Sequence, residues 1–291
     1  MCCRPCNCQE GGSSSLQCHL STGICTCKAN AEGNKCERCK NGTYNSDPHN
    51  PDGCSPCFCF GRSSQCSSAR GFVRSIISAN FSAMQNIDNS PGVSFRRSGQ
   101  DFVINFAPGT YAKLVFTGTF KGNHLHSYNQ LFKMTMRYTI ASDSLNATWN
   151  VTLKGKNAKE ASFDIVPLPS LSNTEYHARL HEHYTLNNLT AYELQSILVD
   201  IDSVQIHGTF MANGSVQLNF ELVSATRGVG EEVDYVENCT CPNNYTELSC
   251  GFCNSGKWLI KLNLGQKRHI SIHPSICSFV RSFVHSFVRK C

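Results

Sequence analysis

No window of 18 consecutive apolar residues occurs anywhere in the 291-residue chain, so no bilayer-spanning helix is expected. An apolar export segment is missing as well: Met1-Cys2-Cys3 leads straight into a cysteine array. There is no Gly-x-Ser-x-Gly elbow, phosphate-cradling loop or dinucleotide fingerprint, and no catalytic or cofactor-binding residue is assigned. Heptads of a coiled coil are absent too. The most informative gap is in cysteine: none lies between Cys66 and Cys239, although the chain holds 19. The net charge of +5 is equally uneven. Lys257, Lys261, Lys267, Arg268, Arg281, Arg289 and Lys290 give the tail +7 with no acid, which leaves −2 for the body. Nothing in that body points to nucleic-acid binding.

Where cysteines do occur, they repeat. Cys6, Cys8, Cys18, Cys25, Cys27, Cys36, Cys39 and Cys54 form a complete set of eight. Cys57, Cys59 and Cys66 match its first three positions, and Cys239, Cys241, Cys250 and Cys253 match its fourth to seventh. The spacings from Cys27 to Cys36 to Cys39 recur from Cys241 to Cys250 to Cys253. The pattern is one module opened in the middle, with residues 67–238 threaded through the gap. A module of this size buries too little surface to fold without covalent staples. Spacing alone leaves the pairing open, since eight cysteines allow 105 connectivities. The Cys-x-x-Cys pairs 36/39, 54/57 and 250/253 also have the spacing of zinc knuckles or redox pairs. The neighbouring Cys-x-Cys pairs fit zinc poorly, and no βαβ pattern supports redox work. Asn-x-Ser/Thr sequons at Asn41, Asn80, Asn146, Asn150, Asn188, Asn213, Asn238 and Asn244 agree with an oxidising, secretory setting. A secreted-type sequence lacking an export signal reads as a fragment of a longer protein.

The cysteine-free middle is a different material. Phe102–Phe106, Lys113–Phe120, Leu131–Tyr138, Ala147–Leu153, Ser162–Val166, Val204–Phe210 and Val216–Val223 read as strands from alternation and β-branched or aromatic content. Seven or more such strands predict an antiparallel, jelly-roll-like β-sandwich. One short helix interrupts them. Thr190 and Glu193 have capping-box spacing, and Leu194, Ile197, Leu198 and Ile201 form its apolar stripe. His177, His181, Glu182 and His183 make the one cluster that suggests a metal. Alternation would put His181 and His183 on one strand face, but the zincin spacing is absent and no metal ligand is assigned.

Cys25-Thr26-Cys27, Glu32-Gly33-Asn34-Lys35-Cys36-Glu37-Arg38-Cys39 and Gly42-Thr43-Tyr44 together resemble a laminin-type EGF-like module. That resemblance implies Cys6–Cys18, Cys8–Cys25, Cys27–Cys36 and Cys39–Cys54 bonds. In the opened module it implies Cys57–Cys66, Cys59–Cys239 and Cys241–Cys250. Lys121-Gly122-Asn123, Ser127-Tyr128, Arg179-Leu180-His181-Glu182, Leu189 to Gln195 and Ile206 to Phe210 are similar to the laminin IV type A domain. So is the exit string Glu237-Asn238-Cys239-Thr240-Cys241-Pro242. The leading string, Cys54 to Ser64, is closest to laminin gamma chains. The plan this implies is a remnant of a preceding module at 1–5, an EGF-like module at 6–56, and an opened module at 57–66 and 239–256. A laminin IV sandwich fills 67–238, and residues 257–291 form a basic low-complexity tail. Cys2, Cys3, Cys253, Cys277 and Cys291 are left without assigned partners.

The resemblance implies an extracellular-matrix structural segment of a laminin short arm, secreted to basement membranes. It would contribute to matrix architecture and cell adhesion without catalysis. Its partners would be other laminin chains and matrix proteins, engaged by the full-length protein. The alternative from the residues is a carbohydrate- or ligand-binding sandwich displayed on a disulfide-rich spacer.

Overall fold

Alternation of large apolar with polar side chains builds the middle of the chain into two sheets, seen in a computed structural model. It describes residues 5–81, 84–98, 101–140, 147–167, 175–253, 257–258 and 270–271. Two packing units result. One is Arg70–Val236; the other is formed by the chain up to Ala69 and again from Glu237.

The strands of the first unit are β1 (Phe72–Ser78), β2 (Met84–Asn89), β3 (Ser94–Ser98), β4 (Asp101–Phe106), β5 (Thr110–Phe116) and β6 (Leu131–Ile140). They continue with β7 (Ala147–Gly155), β8 (Glu160–Asp164), β9 (Val166–Pro167), β10 (Glu175–Arg179), β11 (Ile201–Phe210) and β12 (Gly214–Arg227). A seven-stranded sheet runs β3-β4-β12-β6-β10-β9, with β1 also paired to the long β12. A five-stranded sheet runs β8-β7-β11-β5-β2. Every pairing is antiparallel.

The period-2 pattern sends alternate residues into a shared core. Phe102, Ile104, Phe132, Met134, Val216, Leu218 and Phe220 enter it from the larger sheet; Leu114, Phe116, Val151, Leu153, Val204 and Ile206 enter from the smaller. Phe116 touches Phe81, Phe120 and Phe220 edge-on, at ring separations of 5.7 Å, a favoured aromatic geometry. At one end Phe106 stacks on Phe210 at 4.0 Å, and Trp149 meets Phe210 edge-on. Gly208 lies directly opposite Trp149 across β11 and β7. A Cβ there would come within 2.6 Å of the indole ring, so the position has room only for glycine.

The helix α1 spans Ala191–Leu198. Thr190 Oγ1 accepts from the Glu193 N–H, and the Glu193 carboxylate accepts from the Thr190 N–H, closing the capping box. Lys159 Nζ at 2.7 Å and these cap bonds hold the Glu193 carboxyl down at about 2. Leu194, Ile197, Leu198 and Ile201 are all fully buried, but Ile201 opens β11 instead of extending the helix.

Three strand expectations change in detail. Lys113–Phe120 stops at Phe116, because residues 117–120 turn; the Lys121 N–H bonds the Gly118 carbonyl, and Phe120 folds back into the core. Ser162–Val166 breaks after Asp164: β8 belongs to one sheet and β9 to the other. The histidine segment is not a strand. β10 ends at Arg179, and His181 caps a single 3-10 turn over Glu182–Tyr184.

Candidate functional site

The second unit contains the cysteines. Its structure holds Cys6–Cys18, Cys8–Cys25, Cys27–Cys36, Cys39–Cys54, Cys57–Cys66, Cys59–Cys239 and Cys241–Cys250 bonds. Cys59 and Cys239 are 180 residues apart in sequence and 5.9 Å apart at Cα. The side chains of Cys2, Cys3, Cys253, Cys277 and Cys291 lie outside the described residues.

The opened module repeats three of the intact module's four disulfides and much of its backbone pairing. In the intact module the Cys25 N–H donates to Asn34 O and the Cys36 N–H to Gly33 O. In the opened one Cys239 donates to Leu248 O and Cys250 to Glu247 O. Both closing cysteines are left-handed, Cys36 at φ 57° and Cys250 at φ 58°. Ala31 and Glu32 pair with Cys39 and Arg38, as Tyr245 and Thr246 pair with Cys253 and Phe252. All these correspondences share one offset in sequence, so the cysteine overlay extends to the backbone. The modules also adjoin directly, with the Cys57 N–H donating to Gly42 O at 2.9 Å.

In the intact module the Lys35 ammonium donates to the carbonyls of Cys6 and Gly23. In the opened module the same offset replaces Lys35 by Ser249 and Gly23 by a carboxylate, Glu237, only 3 % exposed. Glu237 Oε2 accepts from the Phe58 N–H at 2.8 Å and the Cys59 N–H at 3.3 Å, and the Ser249 hydroxyl also bonds the carboxyl. Cys59 and Phe60 are left-handed, at φ 40° and 50°. The turn so formed directs successive N–H groups at one anion, as in an anion-binding nest. Burial pushes the Glu237 carboxyl up despite these bonds. Arg62 completes the join. Its guanidinium lies 4.1 Å from the Tyr245 ring centre and 5.5 Å from that of Phe60, and it donates to Cys250 O. Cation–π contacts of a half-buried arginine contribute about 0.5–2 kcal/mol. Cys59, Glu237 and Cys239 lie close enough to share an ion, but the two sulfurs are bonded to each other and offer no thiolate.

Chemically, the arrangement is a fastening: one disulfide, one buried carboxylate and one stacked arginine join segments from opposite ends of a long insertion. Of the three, only the disulfide was expected from the sequence, as what the family resemblance implies; the other two were not. Arg62 and Glu237 sit inside the leading and exit strings, yet nothing local marks either as buried or paired.

Of the histidine cluster, His181 and His183 stay together, their rings stacked at 5.3 Å, and His177 stands apart on β10. His181 is fully buried; its Nδ1 accepts from the His183 N–H at 3.3 Å and lies 3.5 Å from the Glu182 carboxylate, which also accepts from Tyr128. His177 sits on β10 opposite Lys133 and Val166. Of the sequons, Asn41, Asn80, Asn188, Asn213, Asn238 and Asn244 are exposed and Asn150 is half-buried. Asn146 lies outside the described residues.

Comparison with known proteins places these units. The Laminin EGF domain family matches residues 6–54, and the Laminin B (Domain IV) family matches residues 114–237. The chain thus carries two laminin-family domains. It is 34 % identical to laminin subunit gamma-1 of Danio rerio over 87 % of its length, and 34 % identical to that of Homo sapiens over 90 %. Human laminin subunit gamma-2 is 29 % identical over 86 % of the chain. The chain spans about a fifth of the length of these laminins, 20–22 %. Among solved structures, the L4b domain of human laminin alpha-2 aligns over 52 % of the chain and 97 % of that domain, at 13 % identity and a TM-score of 0.36.

Proposed function

We propose that the chain is a short-arm segment of a laminin gamma chain, a structural glycoprotein of the extracellular matrix that contributes to basement-membrane architecture and cell adhesion without catalysis. The observation that carries this reading is the join itself. An EGF-like module reproduced in three of its four disulfides, yet opened to admit a sandwich, is a device for adding a domain to a series of modules. It provides no reaction centre. Short linkers support a rod of modules: only Ser55 and Pro56 separate Cys54 from Cys57. We extend the proposal to the module plan given above, to the seven disulfides as the native pairing, and to the eight sequons as carriers of glycan. Full-length partners on this reading are other laminin chains and matrix proteins.

The test uses the whole secreted chain. Peptide mapping under oxidising conditions is expected to return a Cys59–Cys239 linked peptide, and a glycan array with a heparin column is expected to show no specific retention. Cys59 linked elsewhere would overturn the join. Specific retention would replace the structural reading with that of a carbohydrate-binding sandwich.

A further inference from the structure

Along β7, Trp149, Val151 and Leu153 are buried in the core, so Asn150 and Thr152 point to the outer face of the five-stranded sheet. Asn150 stands in a row that crosses all five strands: Asp164, Asn150, His207, Lys113 and Asp88. Tyr111 flanks the row, 5.8 Å from the His207 ring and bonded through its hydroxyl to Asp88. The face is polar and carries one aromatic pair, the combination a sugar uses for hydrogen bonds and stacking. Asn150-Val151-Thr152 is a sequon, and His207 lies one strand spacing from it, about 4.8 Å. Folding has already engaged the sequon's hydroxyl, since Thr152 Oγ1 and Ser162 Oγ are 2.9 Å apart across β7 and β8. Val151, between them, is wholly inside.

We propose that Asn150 receives an N-glycan before β7 pairs with β8, and that the glycan then lies over His207 and Tyr111 and closes this face to protein partners. In the transfer, Asn150 Nδ2 bonds to C1 of the first sugar of a polyprenyl-pyrophosphate-linked oligosaccharide. The sugar–phosphate bond breaks, the lipid pyrophosphate leaves with the electron pair, and the proton lost from the amide nitrogen passes to the transferase's base. The inference deepens the glycan proposal made above for Asn150, adding its timing and coverage, and rests on the matrix reading in requiring passage through the secretory route.

The experiment maps glycopeptides from the full chain secreted by eukaryotic cells, with Asn41 and Asn188 as internal references. Asn150 is expected to be occupied. An unmodified Asn150 beside occupied references would overturn this inference and leave the matrix reading standing. Timing is tested by offering purified transferase and lipid-linked donor to unglycosylated chain, folded or unfolded. Transfer to Asn150 is expected only in the unfolded sample, and equal transfer to both would refute the order of events. Coverage is read from carbethoxylation of His207, expected to rise several-fold once the glycan is removed enzymatically. An unchanged rate would refute it. Asn150→Gln, a change on an outer face, is expected to fold and to show the higher rate without enzyme treatment; the lower rate there would refute coverage too.

Discussion

Replacing Glu237 by alanine is expected to loosen the join between the halves of the opened module. The carboxylate accepts the N–H groups of Phe58 and Cys59 in a buried site. Each buried N–H left unpaired costs about 1–3 kcal/mol. Water entering the vacated space recovers part of this, so the net loss is about 3 kcal/mol. At about 1.4 kcal/mol per decade, exchange of those two amides should quicken roughly a hundredfold. Hydrogen–deuterium exchange on peptides spanning Phe58 and Cys59 measures this directly, with the Cys59–Cys239 bond intact in both proteins. Glu237→Gln keeps a carbonyl acceptor and should lose only about 1 kcal/mol. The pH dependence has a definite sign. Because burial raises the folded-state value above 4.5, the contribution of this group is fully present below about 4.5 and is lost as pH rises through the raised value. The advantage of wild type over Glu237→Gln should therefore grow on acidification. Unchanged protection in Glu237→Ala, or an advantage that shrinks with acid, would refute the reasoning.

Gly208→Ala should destabilise the sandwich by about 1–3 kcal/mol, because the new methyl meets the Trp149 ring; a urea melt followed by tryptophan fluorescence measures it. Thr190→Ala removes the helix cap and should lower stability by about 1 kcal/mol in the same assay, while Thr190→Ser should restore most of it. His124 is buried and His126 half-buried, and desolvation holds both below the usual imidazole value. The folded state therefore binds fewer protons than the unfolded, and sandwich stability should fall as pH drops below about 6.5. A double Gln variant should flatten that slope in melts at stepped pH.

What was legible in the sequence was what local spacing encodes. The cysteine intervals suggested an opened module because they repeat those of the intact one, and Thr190 with Glu193 gave the helix cap three residues apart. Alternation gave the inner strands, where Phe132, Met134 and Met136 face one core. It failed at β1, β2, β3 and β10; β1 is mixed in polarity, with Phe72 buried and Ile76 exposed. It also failed at the step from β8 to β9, because changing sheets requires no break in composition. Glu237 was illegible for a different reason. Its partners lie 179 and 178 residues away, and only folding shows that a charged residue beside Asn238 turns inward.

Fastening the opened module at Cys59 and Cys239 has a mechanical consequence. A pull applied along the modules runs from Cys57 to Cys59, crosses the sulfur bridge and leaves through Cys241, so the intervening residues 60–238 bear no load. A protease nick within the sandwich would leave both fragments tethered and the strain path continuous. Only a reductant that cuts the bridge would transfer the tension to the β-sheets.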